Sequence, residues 1–148
     1  MLTVTDRAKE ILVLAAKGAR RRGQQRARPE NVLMALLGEA GGVACAVLHT
    51  LGVDPAALAR DLAARLQAQP ANTAPGGEAP SDEPPPGLLS AAAAEARDLG
   101  HGYLGTEHLL IAMTRTEGES TALALAARGV TPATAAATTA RLLGRQIT

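Results

Sequence analysis

The chain has 148 residues and a formal net charge of +1, so neither its size nor its overall field points to nucleic acid or an acidic membrane as partner. Alanine occurs 33 times, tyrosine once, and phenylalanine and tryptophan never. That composition excludes the aromatic platforms on which single-stranded nucleic acid stacks, and it suits closely packed helices better than a β-sandwich.

The opening "MLTVTDRAKE" lacks the basic start and apolar stretch of a signal peptide. Thr5 is placed to cap a first helix on which Ile11, Leu12, Ala15 and Ala19 fall at helical spacing, and Gly23 is placed to end it. Arg20, Arg21, Arg22, Arg26 and Arg28 cluster at that helix end and in the loop after it. They tilt the charge balance: residues 1–67 carry ten Lys/Arg against six Asp/Glu, and 68–148 carry five against eight. A solvated helix end accounts for the arginines, because cations complement the C-terminal dipole. Docking of an acidic partner or adaptor is the functional alternative.

"PENVLMALLG" predicts a short second helix ending near Gly38, and "GGVACAVLHTLG" a third from about Val43 to Leu51, with Gly52 just past it. Cys45 falls in the third and reads as a small core residue. As the only cysteine it leaves no intramolecular disulfide and fits a reducing compartment. Asp54 as N-cap and Pro55 at the first helical position open a fourth helix.

Residues 68–87, "AQPANTAPGGEAPSDEPPPG", hold six of the nine prolines and have the composition of a linker too poor in apolar groups to pack. After them the first half begins again. "TEHLLIAM" answers "PENVLMAL", and "ARGVTPATAA" answers "TLGVDPAALA". Gly23 and Gly100, Glu30 and Glu107, Gly52 and Gly129, and Pro55 and Pro132 all lie 77 positions apart. The chain is therefore a tandem repeat of a four-helix unit: repeat one in 1–67, a linker in 68–87 and repeat two in 88–148. A unit of about 65 residues buries only about 60% of its unfolded surface, so the two copies are expected to pack as one pseudo-twofold, all-α domain.

The repeated residues carry a resemblance. "EARDLGHGYLGTEHLLIAM" followed by "ALAARGVTP", with "TDRAKEILVLAAKGARRRG", "PENVLMALL" and "GGVACAVLHTLGVDP" in the first half, resembles the N-terminal domain of ClpA-, ClpB- and ClpC-type AAA+ unfoldases, the double Clp-N motif. The resemblance implies a non-catalytic module that docks protein substrates or adaptors for a Clp unfoldase and its protease. It also implies, for the ClpC type, recognition of phosphoarginine marks, with the guanidinium held by the glutamate of Gly-Thr-Glu-His. That role falls on Glu107 with Thr106 beside it, and by the repeat on Glu30. No G-x-x-x-x-G-K-[ST] phosphate loop occurs, so the chain cannot hydrolyse ATP by that chemistry. It is either a domain of a larger unfoldase or a free-standing Clp-N protein acting as a decoy or adaptor competitor.

The residues themselves allow other readings of "LGHGYLGTEHLLIA". Thr106 can cap a helix beginning at Glu107, and a carboxylate suits a first turn. His101, Glu107 and His108 offer metal-ligand types, yet neighbours on a helix point about 100° apart and no H-x-x-x-H pair is present, so neither metal nor cofactor is expected. A metal-dependent hydrolase and a DNA-binding regulator are the remaining classes, and the balanced charge and the repeat argue against the second. In the first copy, Arg28-Pro29-Glu30-Asn31 replaces Gly105-Thr106-Glu107-His108, and Gln24, Gln25 and Arg26 replace the His-x-Tyr stretch. Glu107 is accordingly the stronger candidate. With no apolar run near the roughly 20 residues a bilayer requires, a cytoplasmic protein without membrane contact is expected.

Overall fold

A computed structural model describes residues 2–38, 42–68, 83–115 and 119–143. Repeat one contributes α1 (Asp6–Arg21), α2 (Pro29–Gly38), α3 (Val43–Thr50) and α4 (Pro55–Ala68). Repeat two contributes α5 (Leu88–Asp98), α6 (Thr106–Thr114), α7 (Ser120–Ala126) and α8 (Pro132–Leu143). Among the described residues no single helix is long and apolar enough to cross a membrane.

The helix ends follow local chemistry. Thr5 accepts a hydrogen bond from the Ala8 N–H at 3.1 Å, and Asp54 accepts one from the Ala56 N–H at 3.0 Å. Thr131 and Thr134 cap each other reciprocally at the start of α8, through N–H to hydroxyl bonds of 2.9 and 3.2 Å. Gly23 and Gly100 end the first helix of each repeat at φ 75° and 74°, a left-handed conformation that glycine adopts at little cost. The residue after each returns its N–H to the same place: Gln24 to the Ala19 carbonyl and His101 to the Ala96 carbonyl, both at 2.9 Å. One helix departs from symmetry. Pro84, Pro85 and Pro86 occupy the positions equivalent to Arg7, Ala8 and Lys9, and α5 starts only at Leu88 because each residue that precedes a proline is pushed out of the helical region.

The core is built around α6. All nine of its residues are buried, the polar Thr106, Glu107, His108 and Thr114 along with the apolar Leu109 to Met113. It packs on α5, α7 and α8 of its own repeat and on α1, α2 and α3 of the other. Its counterpart α2 is buried through Glu30, Asn31, Val32, Leu33 and Leu36. Ile11, Leu33, Leu58, Leu62, Leu109, Leu110 and Leu125 complete one continuous core of the two repeats.

Three features depart from the sequence reading. A two-residue strand, β1 (Thr3–Val4), pairs in parallel with β2 (Tyr103–Leu104) of the other repeat, and Thr5 N–H extends the ladder to the Leu104 carbonyl at 3.0 Å. Cys45 is half-buried rather than a core residue, its thiol directed to the Leu36 carbonyl at 3.0 Å. The segment 68–87 was expected to stay unpacked; its residues 69–82 lie outside the described residues, but its end is docked. Arg26 donates to the Pro84 carbonyl at 2.8 and 3.2 Å and pairs with Glu83 at 3.3 Å, while Pro85 is buried.

Candidate functional site

The loop 100–105 turns back from α5 and runs into α6, and it folds His101 and Tyr103 onto the first turn of that helix. Gly105 is the N-cap, so it is Thr106, not Glu107, that begins the helix. The expected cap role of Thr106 is therefore replaced by another. Its hydroxyl accepts the N–H of Ala44 at 3.3 Å, at the start of α3 in the other repeat, where the N-cap is Gly42 and has no side chain to offer. Thr106 caps a helix, but across the repeat interface.

Glu107 is 2% exposed and accepts the Tyr103 hydroxyl at 2.8 Å. Burial, together with the adjacent carboxylate, pushes the Tyr103 phenol well above its ordinary range. Gly105 makes room for this arrangement, since a Cβ there would lie 2.5 Å from Glu107 Oε1. Glu30, the equivalent carboxylate, is also 2% exposed.

Beneath Glu107 lies a pair of imidazoles that spacing along the helix could not reveal, because His101 comes from the loop. His108 accepts the Gly105 N–H at Nδ1, 2.9 Å away, and its Nε2 lies 2.8 Å from His101 Nδ1. These bonds determine the tautomers of the neutral rings. Nδ1 of His108 must be bare, so its proton sits on Nε2 and is donated to His101, whose own proton is then on Nε2. Burial, followed by the neighbouring His101, lowers the His108 pKa to about 4. Tyr103 stacks on His101 with ring centroids 5.2 Å apart and an interplanar angle of 9°.

Ligand atoms of His101, Glu107 and His108 do fall within 4.8 Å of one another. Four of the atoms concerned are held within the protein: His101 Nδ1 and His108 Nε2 by each other, His108 Nδ1 by the Gly105 N–H and Glu107 Oε2 by the Tyr103 hydroxyl. The cluster is a hydrogen-bond network. Repeat one builds the same network from amides: Asn31 accepts the Arg28 N–H at 2.8 Å, and Gln24 donates to Asn31 at 2.9 Å. Gln24 and Asn31 are thus the counterparts of His101 and His108, which the sequence reading treated as lost positions.

Of the arginines expected to dock a partner, Arg20, Arg21 and Arg22 are exposed at the end of α1. Arg26 is turned to the segment before α5, and Arg28 is half-buried beside Asn31. Arg21 and Arg22 line a groove of about 450 Å³ together with Leu14, Gly18, Met34 and Ala35.

Comparison with known proteins supplies the context of this fold. The sequence model described as the Clp repeat (R) N-terminal domain matches residues 3–86 and again 83–148. An ATP-dependent Clp protease ATP-binding subunit ClpA homolog of Guillardia theta is 36% identical over 122 residues, covering 80% of this chain and 14% of the relative. Chaperone protein ClpC2, chloroplastic, of Oryza sativa is 32% identical over 145 residues, covering 95% of this chain and 15% of the relative. The chain thus spans about one seventh of the length of these curated relatives. Among solved structures, the Hsp104 N-terminal domain of Candida albicans superposes with a TM-score of 0.73 at 20% identity, over 97% of this chain and 93% of that one. The N-terminal domain of ClpD from Arabidopsis thaliana gives 0.66 at 18% identity, over 95% of both chains.

Proposed function

Since the chain belongs to the Clp repeat N-terminal domain family, we propose that it is a non-catalytic module that docks protein substrates or adaptors for a Clp AAA+ unfoldase. One observation carries this reading. Both repeats match, and the relatives are ATP-binding subunits and chaperones about six times longer, within which the matched part is a small unit. A graft tests it. This chain is fused in place of the N-terminal domain of a ClpC-type unfoldase, and degradation of a domain-dependent substrate is followed with the cognate peptidase. Restored degradation is expected; a graft no better than the enzyme lacking its N-terminal domain would defeat the reading.

The finer proposal is that Glu107, with Thr106 beside it, receives the guanidinium of phosphoarginine, and that Glu30 is a weaker counterpart. Two carboxylates at equivalent first-turn positions support it, because a carboxylate accepts a guanidinium fork while helix-start N–H groups face a phosphate. Burial sets a condition: the ligand must take the place of the Tyr103 hydroxyl on Glu107. Titration calorimetry with phosphoarginine should therefore show 10- to 150-fold weaker binding for Glu107→Ala, from a lost contact of about 1.5–3 kcal/mol. Tyr103→Phe should bind at least as well as the unaltered protein. Equal losses from Glu107→Ala and Glu30→Ala would refute the asymmetry between the repeats.

A further inference from the structure

The groove between α1 and α2 exists because two positions that are filled in repeat two are empty in repeat one. Gly18 and Gly38 stand 77 positions before Glu95 and Arg115. In repeat two those side chains form an ion pair that ties α5 to α6. In repeat one both are glycine, and a Cβ built at either would meet nothing within 4 Å. The result is a cavity of about 450 Å³ lined by Leu14, Gly18, Met34, Ala35 and Gly38, with Arg21 and Arg22 from the end of α1 and the buried Asn31. The charge there is reversed between the repeats as well. Arg21 occupies the position of Asp98, and Arg22 that of the buried Leu99. Among the described residues the lining thus carries two cations, no acid and an apolar floor.

We infer that this groove docks an acidic, partly apolar segment of a partner protein: an aliphatic side chain enters between Leu14, Met34 and Ala35, and flanking carboxylates meet Arg21 and Arg22. This deepens the docking role proposed above and rests on it. Carboxylates on a flexible chain suit the site better than a nucleic-acid backbone. The floor is apolar, the guanidinium groups come from the end of α1, and no aromatic ring is present on which a base could stack.

The test restores in repeat one the ion pair of repeat two. Gly18→Glu with Gly38→Arg should bridge and fill the groove, and both changes put better helix formers into space that is open. The probe is a fluorescein-labelled peptide with one leucine between aspartates and glutamates, read by anisotropy against a lysine-substituted counterpart. Binding of the acidic peptide alone is expected, weakened at least tenfold in the closed variant. Arg21→Gln with Arg22→Gln, both exposed and remote from the core, should weaken it too and flatten its dependence on salt. Thermal melts by circular dichroism establish that each variant is folded. Undiminished binding to a folded closed variant would overturn the inference, as would displacement of the peptide by an equimolar DNA duplex. Failure of the unaltered protein to bind the peptide would also overturn it, while leaving the docking role to the unfoldase graft, which does not depend on this groove.

Discussion

His108 can accept the Gly105 N–H only while its Nδ1 carries no proton, so the start of α6 depends on a neutral ring. The unfolded chain would protonate this histidine near 6.5, whereas the folded protein resists until about 4. Between those values the unfolded state binds more protons. The contribution of the neutral ring is therefore complete above pH 6.5 and is lost as pH falls toward 4, about 3 kcal/mol in all. Repeat one provides the control, because Gln24 and Asn31 make the same connections without titrating in this range. The double substitution His101→Gln, His108→Asn should cost about 1–2 kcal/mol at pH 7 through lost ring volume, yet flatten the slope of stability against pH between 6.5 and 4.5. Urea melts at half-unit pH steps provide the comparison, and parallel slopes in the two proteins would exclude His108 as the source. None of this pairing was legible in the sequence. Helical spacing sets Glu107 and His108 about 100° apart, yet their ligand atoms come within 4.8 Å of each other and of His101, which a glycine turn that periodicity does not describe brings in from the preceding loop.

At the scale of elements, the helix starts were legible and their owners were not. Thr5, Asp54 and Thr131 cap the helices that follow them, because each precedes a run of residues with helical spacing and its oxygen needs only a backbone N–H two or three residues on. Thr106 looks the same in sequence, yet its hydroxyl serves α3, 62 positions away. The short parallel ladder of β1 with β2 was hidden for the same reason, as two residues at the start of the chain give no alternation to read. Replacing Thr106 with valine keeps the shape and removes the acceptor, leaving the buried Ala44 N–H without that partner. We expect a loss of about 1–2 kcal/mol, with Thr106→Ser close to the unaltered protein. Guanidinium unfolding of the three proteins tests this. A valine variant of full stability would mean that the 3.3 Å contact contributes nothing to capping α3.

For the molecule as a whole, the repeat predicts that the two halves unfold together. Each is a small four-helix unit, and the helix most deeply buried in the second, α6, rests on three helices of the first. A polar contact elsewhere also joins the two repeats. Asp61 on α4 accepts Arg65 of its own helix at 2.9 Å and Arg128, beyond the end of α7, at 2.8 Å. These partners, Arg65 foremost, hold the Asp61 carboxyl below its ordinary value, so their support is present above about pH 4 and is lost as pH falls further. A double-mutant cycle of Asp61→Asn with Arg128→Gln should give a coupling of about 0.5–1 kcal/mol that shrinks in high salt, as expected for a partly exposed pair. Tyr103 allows a stricter test of unity. It is the only aromatic residue of Phe, Tyr and Trp type, and it sits in repeat two against β1 of repeat one. Its fluorescence reports that junction, while circular dichroism reports helices in both repeats. If the repeats form one cooperative body, the two signals follow a single urea transition, and Asp61→Asn shifts both midpoints equally. A fluorescence change that precedes the loss of helix would instead show the junction opening while the two bundles persist, and the single continuous core would not be the unit of stability.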